Sequence, residues 1–365
     1  MSNGSLGYYM VCDKEAYPGP YAKAQGIVAA ASALGYRSCL WAAPEKGLRG
    51  YLRLAAAVSG ANEDIVFVRG VSYAYPLIAL AMLIARLRGR RLYLDVPSPQ
   101  CVALREILHS TETLAAKVTK TALITVTGPL AFWPATVVIE YAPEGGYFRL
   151  GNAGKIIQLG NGIDLEAVQV RDSEPSWPTR VLTIVGVGRI ENWQGYDRII
   201  RAIAHYQRQL CGELEICFKV IGVGSATAAL QVLSEQLGLS GNVLFLGQLT
   251  GKRLRDEYES AHIAVDTLAL HRKGLSVASS LKAREYCAVG IPFLSACDDP
   301  DFAADEEFRF SVSNNDDYKE IAHLFTKLSS RVLPNRLQIR AIAEERLSWV
   351  SKLNAVGIAG AAGRG

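Results

Sequence analysis

The side chains with the clearest chemistry lie between residues 271 and 297, HRKGLSVASSLKAREYCAVGIPFLSAC. Arg272-Lys273-Gly274 is a basic, flexible loop. Ser279 and Ser280 follow, and serine side chains accept from the free amides of a helix's first turn. Gly290 suits the left-handed position past a helix end. The spacing predicts a helix opening near Ser279-Ser280 and closing at Gly290, then a strand over Ile291-Pro292-Phe293-Leu294, short and apolar enough to be buried on both faces. The helix's first-turn amides, including those of Ser279, Ser280 and Leu281, and its positive dipole end would face whatever occupies the loop. With Lys282 and Arg284 in its first turns, an anion is the natural guest. The plainer alternative is that Lys282 and Glu285, three apart on one face, form a surface ion pair of about 0.2–0.5 kcal/mol.

Other segments must present the rest of such a site. Val181 to Gly186 reads as a buried strand running into Gly188-Arg189, Phe218 to Gly222 as a second ending in Gly222-Val223-Gly224, and Asn242 to Gly247, through Leu246, as a third. Successive strand-to-glycine turns collect at the carboxyl edge of one parallel sheet, where such sheets bind ligands.

Taken in order, Gly188-Arg189-Ile-Glu-Asn-Trp-Gln194-Gly195, Ile221 to Gly224, Val243 to Gly247 and Ser280-Leu-Lys282-Ala-Arg-Glu285 through Gly290-Ile-Pro292 resemble the donor-binding half of family 4 glycosyltransferases. Asn161-Gly162-Ile163-Asp164 matches the motif by which that family passes into its second domain. The amino-terminal half resembles it only through Gly19-Pro20-Tyr21-Ala22-Lys23 and Leu94-Asp95-Val96-Pro97. The resemblance implies an α/β chain of two doubly wound Rossmann-like domains facing across a cleft, the GT-B arrangement. It implies a retaining transfer of sugar from a nucleotide-diphosphate sugar to a saccharide or lipid-linked saccharide acceptor, as in exopolysaccharide, capsule or lipopolysaccharide synthesis. Arg189 and Lys282 would hold the leaving diphosphate and Glu285 the ribose hydroxyls. Gly188, Gln194, Gly222, Gly224, Leu246, Ser279, Ser280 and Leu281 would line the nucleotide. Gly19, Lys23, Asp95 and His109 would lie on the acceptor side.

Two positions depart from the family. It commonly has lysine where this chain has Gln194, a gap that Lys282, Arg272 or Lys273 could fill. It often has a glutamate eight residues before the second one, where Val277 stands here, so the identity of the donor does not carry over. Because the departing phosphate can take the acceptor's proton, no base is evident; His109, His262 and His271 are the histidines in question. Asp299-Pro300-Asp301 mimics a metal-binding DxD but reads as a solvated acidic loop. No cofactor or metal is expected, and no nucleic acid partner.

Composition narrows the classes. The chain has 365 residues, long for one domain and comfortable for two. Seven cysteines without a CxxC, and no clustered histidines, argue against a disulfide framework or zinc site. The first residues carry no secretory signature, and the most apolar run, Leu77 to Ala85, is far short of a membrane span. A cytoplasmic protein is expected. Residues 1 to 160 hold 16 Lys+Arg against 10 Asp+Glu, and the remainder 23 against 25. Arg86, Arg88, Arg90 and Arg91 follow the apolar helix Tyr75 to Ala85, so peripheral contact with anionic membrane is an expectation; the alternative is a helix end charged to suit its dipole. A sugar-nucleotide epimerase would need acidic catalytic groups that are not evident, and a nicotinamide oxidoreductase would need a GxGxxG after the first strand. A non-catalytic relative is the third alternative, favoured by Val277 and Gln194.

Strand-reading runs at Leu6–Val11, Arg37–Leu40, Ile65–Val68, Arg91–Leu94, Ala122–Val126, Thr136–Ile139 and Lys155–Gln158 alternate with helical or loop segments, one of them the helix 20–34. The alternation resumes with strands at about 181, 216, 243, 263 and 291. The reading places an acceptor-side domain at 1–164 and a nucleotide-sugar domain at 165–334, with Gln169–Arg180 as linker. One amphipathic helix, 335–353 within a segment 335–356, returns toward the first domain, and 357–365 is a flexible tail.

Overall fold

The computed structural model describes residues 4–359 apart from 46, 111, 178–179, 211–212, 304 and 329–330. The chain divides into two compact units, Met1–Ile163 with Ser348–Gly365, and Asp164–Leu347.

The first unit alternates β1 (Ser5–Val11), α1 (Pro18–Ala33), β2 (Arg37–Ala43), α2 (Leu48–Ser59), β3 (Ile65–Arg69), α3 (Tyr75–Leu87) and β4 (Arg91–Val96). It continues through α4 (Gln100–His109), α5 (Leu114–Phe132), β5 (Val137–Glu140) and β6 (Ile156–Gln158). The strands form one parallel sheet in the order β2-β1-β3-β4-β5-β6. Helices α2, α3 and α5 cover one face, where Leu54, Ile78, Met82 and Phe132 pack on Val66, Leu92 and Leu94.

The second unit runs β7 (Val181–Val187), α6 (Tyr196–Gln209), β8 (Glu215–Ile221), α7 (Thr227–Gln236), β9 (Val243–Gly247), α8 (Gly251–Ser260) and β10 (Ile263–Val265). Then come α9 (Leu281–Val289), β11 (Phe293–Ser295), β12 (Arg309–Ser311), α10 (Lys319–Leu328) and α11 (Arg336–Arg346), while α12 (Trp349–Ala355) belongs to the first unit. The second sheet is also parallel, in the order β12-β11-β10-β7-β8-β9. The unit's first strand thus lies centrally, and the chain reverses direction across the sheet between β7 and β10, the switch point of a doubly wound fold.

Three sequence expectations change. Residues 122–126 are helical, inside α5: Ile-Thr-Val has strand propensity, but Ile124, Gly128, Ala131 and Phe132 fall at helical spacing and are buried. Residues 169–177 are packed onto the second unit rather than strung as a linker, with Arg171 buried and its Nη1 donating 2.7 Å to the Ala261 carbonyl. The single helix over 335–353 is two, because Ser348 is extended and its hydroxyl accepts from the Ser351 amide, starting α12 anew. Trp349, at the start of α12, is buried on α1. A Cβ on Gly26 would collide with its ring and one on Gly162 would lie 2.5 Å away, so both glycines make room for the indole. The short strand β12 went unread.

Candidate active site

The second unit's candidate site stands at its switch point. Gly188 follows β7 with φ 131°, and Gly222 follows β8 with φ 128°, backbone that favours glycine. The Gly188 amide donates 3.0 Å to the Ile221 carbonyl, and the two turns lie so close that a Cβ on Gly222 would strike the Gly188 carbonyl. A Cβ on Gly224 would likewise strike the Ile190 carbonyl. Gly222 and Gly224 are needed for turn-to-turn contact, and Gly188 for its backbone conformation. Leu246, half-buried, is skipped at an irregularity in β9, where Ile221 is paired with Gly247.

Helix α9 opens as expected: Ser280 is its N-cap, its hydroxyl accepting 3.1 Å from the Ala283 amide, and Gly290 closes it in the left-handed conformation. Ser279 is buried just before the cap, and Leu281, 37% exposed, begins the helix. The Ser280 hydroxyl also donates 2.5 Å to Asp266, buried at the end of β10. Lys282 reaches the same place. Its Nζ donates to the Gln194 side-chain carbonyl, lies 3.8 Å from Asp266 Oδ1 and stands 5.4 Å from the Tyr196 ring centroid. Gln194 is buried and its own amide donates 3.2 Å to the Arg189 carbonyl. Burial pulls the Lys282 ammonium down to about 8, against the pull of Asp266.

Glu285 does not pair with Lys282. Its carboxylate accepts 3.0 Å from the Tyr258 hydroxyl, and burial raises its pKa while that hydrogen bond opposes the rise. The surface-pair reading therefore fails. Arg189 points outward, its side chain 72% exposed, with Nε 2.7 Å from Glu191. Ser225 in turn donates 2.5 Å to Glu191. Arg189 and Lys282 are thus linked through Gln194.

Other expected cations are committed elsewhere. Arg272 grips Asp197 through both terminal nitrogens, at 2.9 and 2.8 Å, and also binds Asp316. Lys273 lies 4.9 Å from the Trp193 ring centroid. Arg284 is fully buried and faces Asp299 and Asp301, with Nη2 2.6 Å from Asp299. The Asp-Pro-Asp is therefore a buried clamp for an arginine rather than a solvated loop, and Arg284 does not face the anion site. His262 accepts 3.0 Å from the Thr183 amide, and His271 Nε2 is 3.1 Å from Asp316; both are engaged in structure. Among the described residues no group of three or more His, Cys, Asp or Glu is placed to hold a metal ion.

In the first unit, Lys23 and Asp95 meet at 3.1 Å near that sheet's own switch point. Tyr8 also donates to Asp95, and Arg69 Nη1 lies 3.6 Å from it. Lys23 Nζ stands 3.4 Å from the Tyr141 ring centroid. Asp95 is fully enclosed; its two cations and Tyr8 hold it below the carboxylate range against desolvation, while burial brings Lys23 down to about 7. Gly19 lies in the first turn of α1, four residues before Lys23. His109 ends α4, but its side chain lies outside the described residues.

The arginines after α3 are engaged with the protein. Arg86 Nη1 donates 3.3 Å to the Trp133 and Pro134 carbonyls, Arg88 2.6 Å to that of Ser59, and Arg91 3.0 Å to the Tyr93 hydroxyl. Arg90 lies 3.8 Å from Asp64.

Asp266, Tyr258, Glu191, Tyr8 and Arg69 were not foreseen. The signal for Asp266 and Arg69 was available, a charged residue at the end of an apolar strand run. Nothing in the sequence pairs Tyr258 with Glu285.

Two parallel doubly wound units, the second with a glycine-lined switch point, have the two-Rossmann-domain architecture of the GT-B fold. Residues 171–345 match the family model for "Glycosyl transferases group 1", nearly the whole second unit. Among solved structures, the apo form of the lipopolysaccharide outer core galactosyltransferase WaaB is similar with a TM-score of 0.65 at 13% identity, over 96% of this chain and 98% of that one. The sucrose-phosphate synthase of Thermosynechococcus elongatus gives 0.63 at 13%, over 97% of each. The pneumococcal O-GlcNAc transferase GtfA, in complex with UDP and GlcNAc, gives 0.51 at 14%, over 80% of this chain and 56% of that one. These likenesses show the fold. A search of curated proteins by sequence found no match.

Proposed function

We propose that the chain transfers a sugar, with retention, from a nucleoside-diphosphate sugar to a saccharide or lipid-linked saccharide, in the synthesis of a surface polysaccharide at the inner face of the cell membrane. The observation that carries this reading is the chain Arg189 carbonyl, Gln194, Lys282, Asp266 at the switch point of the second unit. Breaking a sugar-to-diphosphate bond develops negative charge on the phosphate, and the site must meet it with fixed cations and amides. Lys282 supplies a cation held in place from two sides. Arg189, exposed and joined to it through Gln194, supplies a bidentate fork. The opening amides of α9 add a positive dipole end. Glu285, on the same helix, is the acceptor for ribose hydroxyls. In the first unit, Lys23 and Arg69 around the enclosed Asp95 form the polar centre from which acceptor-side groups are set. No cofactor or metal is needed for this scheme, since the departing phosphate takes the acceptor's proton.

The test offers isotope-labelled sugar nucleotides with membrane lipid extract. Transfer moves label into lipid and releases nucleoside diphosphate in equal amount, whereas epimerisation leaves the label on nucleotide. Label remaining on unchanged sugar nucleotide throughout a panel of donors would overturn the reading.

A further inference from the structure

On the first unit, α2, α3 and α5 lie side by side over one face of the sheet, with α3 packed against both neighbours. Their outward surfaces are unusually apolar. On α5, Leu114, Val118, Ala122, Val126 and Leu130 recur every four residues and are all exposed, Leu114 at 77%. On α3 the outward positions are Leu80, Ile84 and Leu87, the last 80% exposed. On α2 they are Leu48 and Leu52. Residues four apart are neighbours on a helix surface, so each helix carries exposed apolar residues on its solvent side as well as buried ones on its core side. In the second unit, by contrast, the described helices expose only single large apolar residues, such as Val232 on α7 and Leu337 on α11.

The charge on the same helices is one-sided. Arg49, Arg53, Arg86, Lys117 and Lys120 stand on them, and α2, α3 and α5 contain no Asp or Glu. Two flanking acids, Glu45 and Glu112, pair with Arg53 and Lys120 at the rim. Trp133, 60% exposed, sits just past the end of α5.

We infer that the outer face of α2, α3 and α5 is a membrane-docking surface that seats in the headgroup region of an anionic bilayer. Contiguous exposed apolar surface on a soluble domain marks an interaction site. Helices with apolar stripes and basic residues lie in the plane of such an interface with their apolar side sunk a few ångströms, and tryptophan favours its boundary. The charge pattern selects the occupant: with Arg53 and Lys120 paired to Glu45 and Glu112, the face keeps a surplus of Arg49, Arg86 and Lys117, which a second copy docked through the same face would set against its like, while anionic headgroups match it. The inference goes beyond Arg88, Arg90 and Arg91 after α3, whose guanidinium groups are engaged by a carbonyl, Asp64 and a hydroxyl. It deepens the reading of a lipid-linked acceptor, yet its test contains no sugar, so a failure of transfer and a failure of docking are told apart.

The test uses the full chain with vesicles of phosphatidylcholine alone and with about one third phosphatidylglycerol, by sedimentation at low and high salt. Wild type should bind the anionic vesicles, keep a salt-resistant fraction, and shift the Trp133 emission to the blue, read as the difference from Trp133→Phe. A variant with Leu114→Gln, Val118→Gln and Leu130→Gln, all exposed positions, should bind at least tenfold more weakly and lose the salt-resistant fraction while its melting temperature stays unchanged. Lys117→Gln with Lys120→Gln should lose the anionic preference and keep the stripe. Equal binding by the triple variant and wild type overturns the inference, as does absence of binding to both vesicles. A wild-type dimer abolished by the triple variant, without vesicle binding, would assign the face to a second copy instead.

Discussion

The Lys282 ammonium donates to the side-chain carbonyl of Gln194 and sits 3.8 Å from Asp266. A lysine on α9 is thus held between a buried glutamine and a buried aspartate, and the glutamine is its ligand.

Lys282→Ala should lower kcat about 100-fold or more, by analogy with the loss of one charge-stabilising donor. Exchanging the two residues, Lys282→Gln with Gln194→Lys, returns a cation to within a side chain's length of the same spot and should recover at least part of the loss. Steady-state rates decide it. An exchanged protein no better than Lys282→Ala would mean that Lys282 acts from its own position only.

Burial lowers Lys282 from its ordinary value of 10.5 to about 8. Only the ammonium form attracts phosphate, and it is the form lost as pH rises through that value. Affinity for a nucleoside diphosphate should therefore be level below about pH 7.5 and weaken above pH 8, approaching tenfold per pH unit for one linked proton. In Lys282→Arg the guanidinium stays charged, and the profile between pH 7 and 9.5 should flatten. Calorimetric titrations across that range give the answer, and a sloping profile in both proteins would assign the proton to another group.

How much of this was readable from residue order depends on whether the signal is local. Ser280 and Gly290 bound α9 through a cap and a left-handed turn, both properties of single residues. Gly188 and Gly222 likewise mark the strand ends through backbone freedom. Arg284 and Arg272 were misjudged because a guanidinium looks the same in sequence whether it faces solvent or a carboxylate. Asp299 is 15 residues from its partner and Asp197 is 75 from its own. Residues 122–126 misled for the same reason, since the burial of Phe132 and Ile124 on one helical face outweighs the strand propensity of Ile-Thr-Val.

Glu285 is held by Tyr258 at 3.0 Å with its pKa raised by burial. Its carboxylate is thus short of hydrogen-bond donors, and ribose hydroxyls would provide them. Glu285→Gln should weaken nucleoside diphosphate binding by about tenfold or more, the scale of a hydrogen bond to a charged group. Tyr258→Phe leaves the carboxylate in place and should bind within about threefold of wild type. Calorimetry on both variants separates the roles, and an unchanged Glu285→Gln would leave the glutamate as no more than Tyr258's partner.

Arg284, fully buried, is the second unit's most enclosed cation, and Asp299 and Asp301 meet it on a face of α9 that Lys282 does not share. Arg284→Met strands two buried carboxylates and should cost about 3–5 kcal/mol in denaturant unfolding. Adding Asp299→Leu should restore much of that, because an apolar pair of similar volume can replace a buried ion pair. A single-variant loss below about 1 kcal/mol would show that water reaches the clamp.

Arg189 differs from these in being exposed and paired only across a mostly solvated contact with Glu191. Exposed pairs contribute about 0–1 kcal/mol to stability, so Arg189→Ala should melt close to wild type. If its guanidinium turns onto the leaving phosphate, the same variant should lose about 100-fold or more in kcat, and Glu191→Gln, which releases the arginine without removing it, should lose far less. Arg189→Lys keeps the charge and forfeits the bidentate fork, and should fall between the two. Rates and melting curves measured together separate a phosphate-binding arginine from a surface one: full activity in Arg189→Ala would leave Lys282 and the amides of α9 to meet the phosphate alone.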